Sequence, residues 1–340
     1  MVKFSPKHRL QAVFAGTPPD RPPVICPGGM MNSAIVDVMK SSGLTLPEAH
    51  QDSDLMAKLA NVIREYSGFE NFGIPFCMTV EAEVFGSKIN LGSLACEPKI
   101  AREIFPDSAS VVFSDVADLL NQGRIAIVVE AARKLNLEYP EIPVLASLTG
   151  PISLAASIVD PMSFFRDLRK NPAEAHKVLD YVTDFLIGFG RLLAENGVTA
   201  IAFGDPTATG EILGPAMFKK YAVPYLQKVV TGVRETGLPV IVHICGNITS
   251  VKFLLREIGA DVISVDALIN LKNLKEEFPG LKTMGNVSTY LLEFGPVEKI
   301  KEITARLVQE GIDIISPACG LSTSSPLENI RAMTQAVKSG

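Results

Sequence analysis

Short runs of aliphatic residues recur along the chain, and each is followed by small or polar residues and then by a stretch with helical spacing of its apolar positions. Such near-continuous apolar runs are typical of parallel strands that are covered on both faces. Three of the intervening stretches, residues 161–194, 215–236 and 296–310, combine a helix start with the 3.6-residue period. The pattern predicts eight strands, at residues 24–26, 73–78, 144–148, 200–203, 240–244, 262–265, 283–286 and 312–316.

Repeated strand-and-helix units predict an α/β fold, and eight of them favour a parallel sheet closed into a (β/α)₈ TIM barrel. An open, doubly wound sheet is the alternative, but no predicted strand is followed by a Gly-x-Gly-x-x-Gly phosphate loop. We predict an N-terminal helical arm at residues 1–21. An inserted β-hairpin is predicted at about residues 78–105, beside the barrel mouth, because turn signals interrupt the repeat there. No linker or charge run divides the chain, which favours a single domain over residues 1–340.

Composition narrows the class of protein. Hydrophobic residues make up 47% of the 340 positions and charged residues 20%, the balance of a globular protein with a large aliphatic core. The net charge of −5 and the scattered lysines and arginines provide no basic surface for nucleic acid or an anionic membrane. Apolar runs are far shorter than the ~20 residues of a membrane span, and residues 1–10 lack a signal-peptide core. We therefore expect a cytoplasmic protein with small-molecule and protein partners.

The five cysteines are odd in number and widely spaced, so a disulfide framework is not expected in a chain without an export signal. Free cysteine is most often a small buried hydrophobe. We give that interpretation to Cys26, Cys77 and Cys96. Cys245 and Cys319 differ because polar residues surround them at the ends of predicted strands.

The loops that follow the strands build the active site in a barrel of this kind. His243 and Cys245 are two residues apart at the end of one predicted strand, so their side chains project to the same side. Cys319 lies just past the eighth predicted strand, and barrel closure brings it to the same mouth. One imidazole and two thiolates suit tetrahedral Zn²⁺ and leave one coordination position open. A thiol that enters this position would become a thiolate and attack an activated methyl group.

Four further polar residues follow predicted strands. Asp266 is a candidate for a fourth, displaceable zinc ligand or for a hydrogen-bond partner of His243, with a solvated loop carboxylate as the alternative. Asp205 is a candidate for orienting substrate. Asn247 and Asn286 are candidates for lining the pocket, although asparagine after a strand is also ordinary turn chemistry.

Several motifs together resemble one known family. The sequences Val-His-Ile-Cys-Gly-Asn at 242–247, Gly-Asn-Val-Ser at 285–288 and Ile-Ser-Pro-Ala-Cys-Gly-Leu at 315–321 resemble the methylcobalamin:coenzyme M methyltransferases of the uroporphyrinogen decarboxylase superfamily. The similarity includes Pro-Leu-Glu-Asn-Ile at 326–330 and, upstream, Pro-Glu-Ala-His at 47–50. It therefore extends over the whole chain.

The resemblance implies a (β/α)₈ barrel with zinc held by the residues that match the family's ligands, His243, Cys245 and Cys319. It implies methyl transfer from a methyl-Co(III) corrinoid (methylcobalamin), carried on a separate small protein, to a thiol such as coenzyme M, leaving Co(I). Asp266 falls where such enzymes place an acidic residue near zinc. Met30 and Met31, in the loop after the first strand, are candidates for an adaptable apolar surface that contacts the corrinoid, with core packing as the alternative.

Other functions remain open at this point. A related methyltransferase would use a different acceptor or donor, such as tetrahydrofolate or homocysteine, or would transfer methyl onto the corrinoid. A zinc-free lyase of the decarboxylase type is less expected, because those enzymes have an arginine-rich segment where this chain has Pro-Gly-Gly-Met-Met-Asn at 27–32. In a non-enzymatic alternative, zinc only braces the barrel. We identify no arginine or lysine just past a predicted strand to bind a sulfonate, so the sequence leaves the thiol open.

Overall fold

A computed structural model describes residues 4–339 of the chain. Residues 1–3 of the predicted arm, and residue 340, lie outside the described residues. A six-stranded parallel sheet forms most of the barrel wall, and a separate pair of antiparallel strands lies outside it. In chain order the strands are β1 (Phe72–Ile74), β2 (Lys88–Asn90), β3 (Lys99–Arg102), β4 (Val144–Thr149), β5 (Ala200–Gly204), β6 (Val240–Ile244), β7 (Val262–Val265) and β8 (Thr283–Met284).

Two short segments close the six-stranded sheet into a ring. The segment 312–316 bridges β8 through Met284 and Ile314, and Val24 bridges Ile315 on its other side. Residues 24–26 then reach the segment that enters β1, because Glu70 N–H donates to the Val24 carbonyl at 2.9 Å. All eight predicted strand positions therefore contribute to the barrel, although two of them pair only through isolated bridges. The strand predicted at 73–78 ends early, at Ile74, because Pro75 has no N–H for a strand ladder.

The barrel interior is apolar and is covered at the end where the strands begin. Inward-facing side chains of the strands form one cluster with Leu10 and Val13 of the first helix. That helix, α1 (Pro6–Ala15), has Ser5 as its N-cap and Gly16, with a φ of 72°, as its C-cap. The other buried members of this cluster are Ile25, Met31, Leu145, Ala200, Ala202, Ile241, Val262, Met284 and Ile314.

Helices cover the outside of the barrel and bury a second, larger apolar cluster against the strands. No helix within residues 4–339 is long and apolar enough to cross a membrane. The remaining α-helices are α2 (Val36–Ser42), α3 (Ser53–Ser67), α4 (Val80–Val84), α5 (Val116–Leu119), α6 (Ile125–Glu138), α7 (Pro151–Ile158), α8 (Pro161–Lys170), α9 (Pro172–Glu195), α10 (Gly214–Met217), α11 (Val223–Arg234), α12 (Leu255–Ile258), α13 (Leu271–Glu277), α14 (Thr289–Phe294), α15 (Val297–Gln309) and α16 (Leu327–Ser339). Short 3₁₀-helices are at Glu48–His50, Ser108–Ser110 and Lys252–Leu254, and a π-helical turn is at Phe218–Ala222.

Two predicted segments need correction. The helix predicted at 161–194 is divided into α8 and α9 at Asn171, because a residue that precedes proline, here Pro172, is disfavoured in the helical conformation. The insertion predicted at 78–105 contains an antiparallel hairpin only in β2 and β3, with Asn90 opposite Lys99. Its first part is instead the helix α4, which packs against α7.

Candidate metal centre

Neighbouring strands in register place the candidate ligands at the carboxyl end of the barrel. His243 is the fourth residue of β6, and its Cα partner on β7 is Ser264. On the other side its partner is Gly204, the last residue of β5. Cys245 directly follows β6. Cys319 comes two residues after Pro317, which bridges Val287 in the loop that follows β8.

The three predicted ligands come together. The ligand atoms of His243, Cys245 and Cys319 all lie within 4.8 Å of one another, and this is the one such cluster of three or more candidate donors found in residues 4–339. His243 Nε2 is 3.1 Å from Cys245 Sγ, and the two sulfur atoms are 3.4 Å apart. His243 is buried, whereas both cysteines are half-buried and face the mouth. One nitrogen and two sulfur donors at this spacing fit a zinc ion with one position left for a substrate.

The two thiols share a hydrogen bond, and this bond shifts their pKa values in opposite directions. The hydrogen bond from Cys245 lowers the pKa of Cys319 to about 5, with a further contribution from His243. The same hydrogen bond, together with burial, raises the pKa of Cys245 well above its usual value. The pair is therefore already arranged to hold one negative charge, which is the form in which a cysteine binds a metal.

Ser264 orients the imidazole of His243. The Ser264 Oγ is 2.9 Å from His243 Nδ1 and is fully buried, and the two atoms share a hydrogen bond whose direction depends on the tautomer of the ring. A proton on Nδ1 leaves the Nε2 lone pair directed at the two sulfur atoms. The sequence analysis did not find Ser264, because a serine within an apolar strand gives no signal until the register of the strand is known.

Replacing Ser264 with alanine should lower zinc affinity about tenfold without unfolding the barrel, because loss of an outer hydrogen bond typically weakens metal binding by that order. Competition with a chromophoric chelator measures this affinity. Ser316→Ala is the matched control, since Ser316 is equally buried at the mouth but donates to the Pro317 carbonyl instead of contacting a ligand. Equal affinities in the two variants would contradict the orienting role.

Asp266 lies outside the cluster of three donors. Its carboxylate accepts a hydrogen bond from the Leu268 N–H at 3.0 Å, in the loop after β7. The hydrogen-bond partner of His243 Nδ1 is Ser264, so the structure assigns that orienting position to the serine and not to Asp266. Coordination of zinc by Asp266 stays a prediction.

Asp205 is fully buried and points toward the start of α7 rather than into the mouth. Its Oδ2 accepts from the Ile152 N–H at 3.1 Å, and its Oδ1 accepts from the Ser153 N–H at 2.8 Å and the Ser153 hydroxyl at 2.6 Å. Burial raises the pKa of Asp205 to about 6, and these hydrogen bonds oppose the rise. Gly150 allows this close approach, since a Cβ there would lie 2.4 Å from the Asp205 Cβ. The geometry supports a capping role, and substrate binding by Asp205 stays a prediction.

The two asparagines have partners within the protein. Asn247 is exposed, and its Oδ1 accepts from the Thr249 N–H at 2.9 Å, which is the turn chemistry held open as an alternative. The Asn286 amide donates to the Asp266 and Ile269 carbonyls at 2.9 and 2.8 Å. Asn286 therefore braces the loop after β7, and a direct contact of either side chain with substrate remains untested.

A cleft of about 750 Å³ opens beside the metal cluster, between the inserted hairpin and the loop after segment 312–316. Cys319 and Met30 line its inner part, and Cys96, Glu97 and Lys99 line the hairpin side. Cys96 is exposed in this cleft, so the expectation that it is a buried hydrophobe is wrong, because it lies in the hairpin turn and not on a core strand. Cys26 and Cys77 are buried as predicted.

Met30 contributes directly to the wall of the site. Its sulfur is 3.8 Å from Cys245 Sγ, and its carbonyl would be 2.5 Å from a Cβ on Gly320. The loop after the first strand therefore closes against the loop that carries Cys319. The sequence had left Met30 and Met31 open between core packing and a site surface. Met30 lies at the cluster, whereas Met31 is buried in the apolar interior of the barrel.

Glu81 is a buried acid that sequence reasoning missed. It accepts from the Thr149 N–H at 2.7 Å at the end of β4, and burial raises its pKa to about 7. Glu81 was not identified from the sequence because it lies in the segment predicted as a hairpin, where a glutamate is expected to face solvent.

The fold and the donor set together define a (β/α)₈-barrel protein with a candidate nitrogen-and-sulfur metal site at the carboxyl ends of its strands. Residues 5–340 match the sequence model described as Uroporphyrinogen decarboxylase (URO-D), and the chain belongs to this family. The family predicted from the motifs is therefore confirmed.

Similar proteins cover nearly the whole chain. The methylcobamide:CoM methyltransferase MtbA of Methanosarcina acetivorans is 32% identical over 99% of this chain and 99% of its own length. The methylcobamide:CoM methyltransferase MtaA of Methanosarcina barkeri is 32% identical over 99% of this chain and 98% of its own. The solved structure of a methyltransferase from Methanosarcina mazei has a TM-score of 0.92 at 32% identity and covers 99% of both chains. This likeness confirms the predicted barrel.

Proposed function

We propose that this protein is a zinc-dependent methyltransferase that moves a methyl group from a methylated corrinoid, carried on a small partner protein, to a thiol such as coenzyme M. The convergence of His243, Cys245 and Cys319 at the barrel mouth is the observation that carries this proposal. The names of the full-length relatives, which are methylcobamide:CoM methyltransferases, support the same donor and acceptor.

The three side chains would hold the zinc through Nε2 and the two sulfur atoms. When bound, zinc lowers the pKa of a coordinating thiol, so that a substrate thiol is ionised and nucleophilic at neutral pH. Two thiolate ligands suit this task, since sites for hydrolysis more often use histidine and carboxylate.

The protein's own residues position and shield the reacting sulfur. Ser264 fixes the ring of His243, as its 2.9 Å hydrogen bond shows, so the donor triangle keeps its shape when a ligand enters. Met30 lies against Cys245 and covers one side of the cluster with an apolar surface, which excludes water there. The side of the cluster that Met30 leaves uncovered faces the cleft lined by Cys319. A small thiol would approach the cluster through this cleft.

A protein partner at the mouth is supported by exposed apolar side chains on its rim. Leu268, in the loop after β7, is 69% exposed, and Tyr290 and Phe294 on α14 are 73% and 66% exposed. The rings of Tyr290 and Phe294 lie 5.0 Å apart, and Tyr290 lines the cleft that contains Cys319. Clustered apolar exposure at an active-site opening is typical of an interaction surface. A carrier that docks there would bring its corrinoid toward the thiol.

Zinc content together with methylcobalamin demethylation tests the proposal. We expect one zinc per chain and a loss of the methylcobalamin absorption spectrum that depends on an added thiol, with the methylated thiol as product. Coenzyme M, homocysteine and tetrahydrofolate are compared as acceptors. Folded protein that binds no zinc, or that demethylates methylcobalamin with neither of the two thiols, would contradict the proposed function.

A further inference from the structure

The inserted hairpin supplies the outer wall of the cleft beside the metal cluster. Its turn and the start of β3 place Glu97 and Lys99 on this wall, whereas the opposite wall includes Cys319 and the residues after it. A thiol whose sulfur lies at the metal cluster can extend its other end into this cleft, between Cys319 and the hairpin. The hairpin therefore lines the part of the cleft that the non-reacting end of such a thiol would occupy.

Of the residues that the structure describes, Lys99 is the only basic one that lines this cleft. It is exposed, and among residues 4–339 its ammonium group takes part in no salt bridge or side-chain hydrogen bond by the usual distance limits. Its backbone is fixed, because it is paired with Asn90 in the hairpin, and the next residue, Ile100, packs on the core. A lysine held in this way offers an unused cationic donor at a defined position.

Two carboxylates line the same cleft and, by charge alone, would favour a cation. Both are already engaged: Glu97 accepts from the Asn32 amide at 2.8 Å, and Glu293 accepts from the Ser322 hydroxyl at 2.9 Å. Glu293 also accepts from the Ser324 hydroxyl at 2.5 Å. Their hydrogen bonds hold them to the cleft walls, whereas Lys99 has no such partner. The charged group that is left free in the cleft is therefore positive.

We infer that Lys99 selects thiols that carry an anionic group, such as the sulfonate of coenzyme M, by binding that group at the hairpin end of the cleft. This inference rests on the proposed function and names the substrate class for the same site. It assigns acceptor choice to the insertion, whereas the barrel strands provide the metal ligands. It also supplies the basic residue that was not found at a strand end.

Lys99→Gln tests the inference with three small thiols of different charge. The acceptors are coenzyme M, which is anionic, 2-mercaptoethanol, which is neutral, and cysteamine, which is cationic. We expect the KM for coenzyme M to rise about tenfold with kcat nearly unchanged, since a charge-assisted hydrogen bond at an exposed site contributes on that order. The rise for 2-mercaptoethanol should be much smaller. Lys88→Gln, on the facing strand and outside the cleft, is the matched control and should behave as the wild type.

Calorimetric titration of coenzyme M into the zinc-loaded protein provides a readout that does not depend on turnover. The dissociation constant should rise about tenfold in Lys99→Gln, and the wild-type value should weaken with salt because the contact is exposed. Equal effects of Lys99→Gln on all three thiols, or a wild-type preference for cysteamine, would overturn the inference. Failure of the wild type to demethylate methylcobalamin with any thiol would instead overturn the proposed function.

Discussion

Replacing Cys319 with alanine should release the zinc and reduce methyl transfer by at least about 10³-fold, because the site loses one of its two sulfur ligands and the activated nucleophile depends on the metal. The side chain is half-buried at the mouth, so its removal leaves no cavity in the core. We therefore expect the metal-free variant and the metal-free wild type to unfold within about 1 kcal/mol of each other. His243→Ala should lose metal and activity in the same way.

Zinc analysis, urea unfolding of the metal-free proteins and methylcobalamin demethylation together check this result. Cys96→Ala is the matched control, since Cys96 is a thiol that lines the same cleft but lies outside the donor cluster. It should retain both zinc and activity. Full zinc content in Cys319→Ala would mean that the metal is held elsewhere. Unfolding of the metal-free variant, with no separate change in chemistry, would favour the bracing role for zinc.

Replacing Asp205 with alanine should destabilise the protein by about 3 kcal/mol, because it leaves the Ile152 N–H and the Ser153 N–H and hydroxyl without their acceptor. The burial that makes this loss large also raises the folded-state pKa of Asp205 to about 6, above its usual 3.8. The stabilisation linked to this shift is present below the unfolded-state pKa and is lost as the pH rises through about 6. The difference in the free energy of unfolding between the wild type and Asp205→Ala should therefore shrink as the pH rises from 3.8 to about 6.

Urea unfolding at several pH values measures both effects. Asp160→Ala is the control, because Asp160 caps the next helix through the Ser163 N–H at 2.8 Å but is only half-buried. Its loss should cost about 1 kcal/mol, as is usual for an exposed cap. If Asp205→Ala costs no more than this control while kcat/KM falls sharply, the capping role is wrong and the substrate role predicted from sequence is favoured.

The barrel and the three donors are predictable from sequence because both depend on local pattern. Apolar runs specify strands, and a spacing of two places His243 and Cys245 on one side of β6 whatever surrounds them. Cys319 required one more assumption, barrel closure, which the repeat of strand and helix already supported. The positions of the three donors therefore follow from short-range periodicity together with one rule of topology, the closure of the barrel.

The role of a buried polar residue is harder to predict from sequence, because partners distant in sequence decide it. Asp205 follows a strand like a catalytic acid, yet the start of α7 captures its carboxylate. The alternating sequence Val-Glu-Ala-Glu-Val at Val80–Val84 has strand periodicity, but Glu81 bonds to Thr149 and the segment is helical. Neither contact is visible without the tertiary packing, which brings Asp205 to the start of α7 and Glu81 to the end of β4.

The packing of α1 against the barrel interior affects the order in which substrates can bind in the proposed reaction. Leu10 and Val13 complete an apolar filling that leaves the cluster accessible from one end only. Zinc, acceptor and methyl donor would all use that entrance, so a docked carrier protein obstructs the route by which a thiol arrives and its methylated product leaves. Ordered kinetics, with the acceptor entering first, would then follow from the way the barrel is sealed rather than from any dedicated gate.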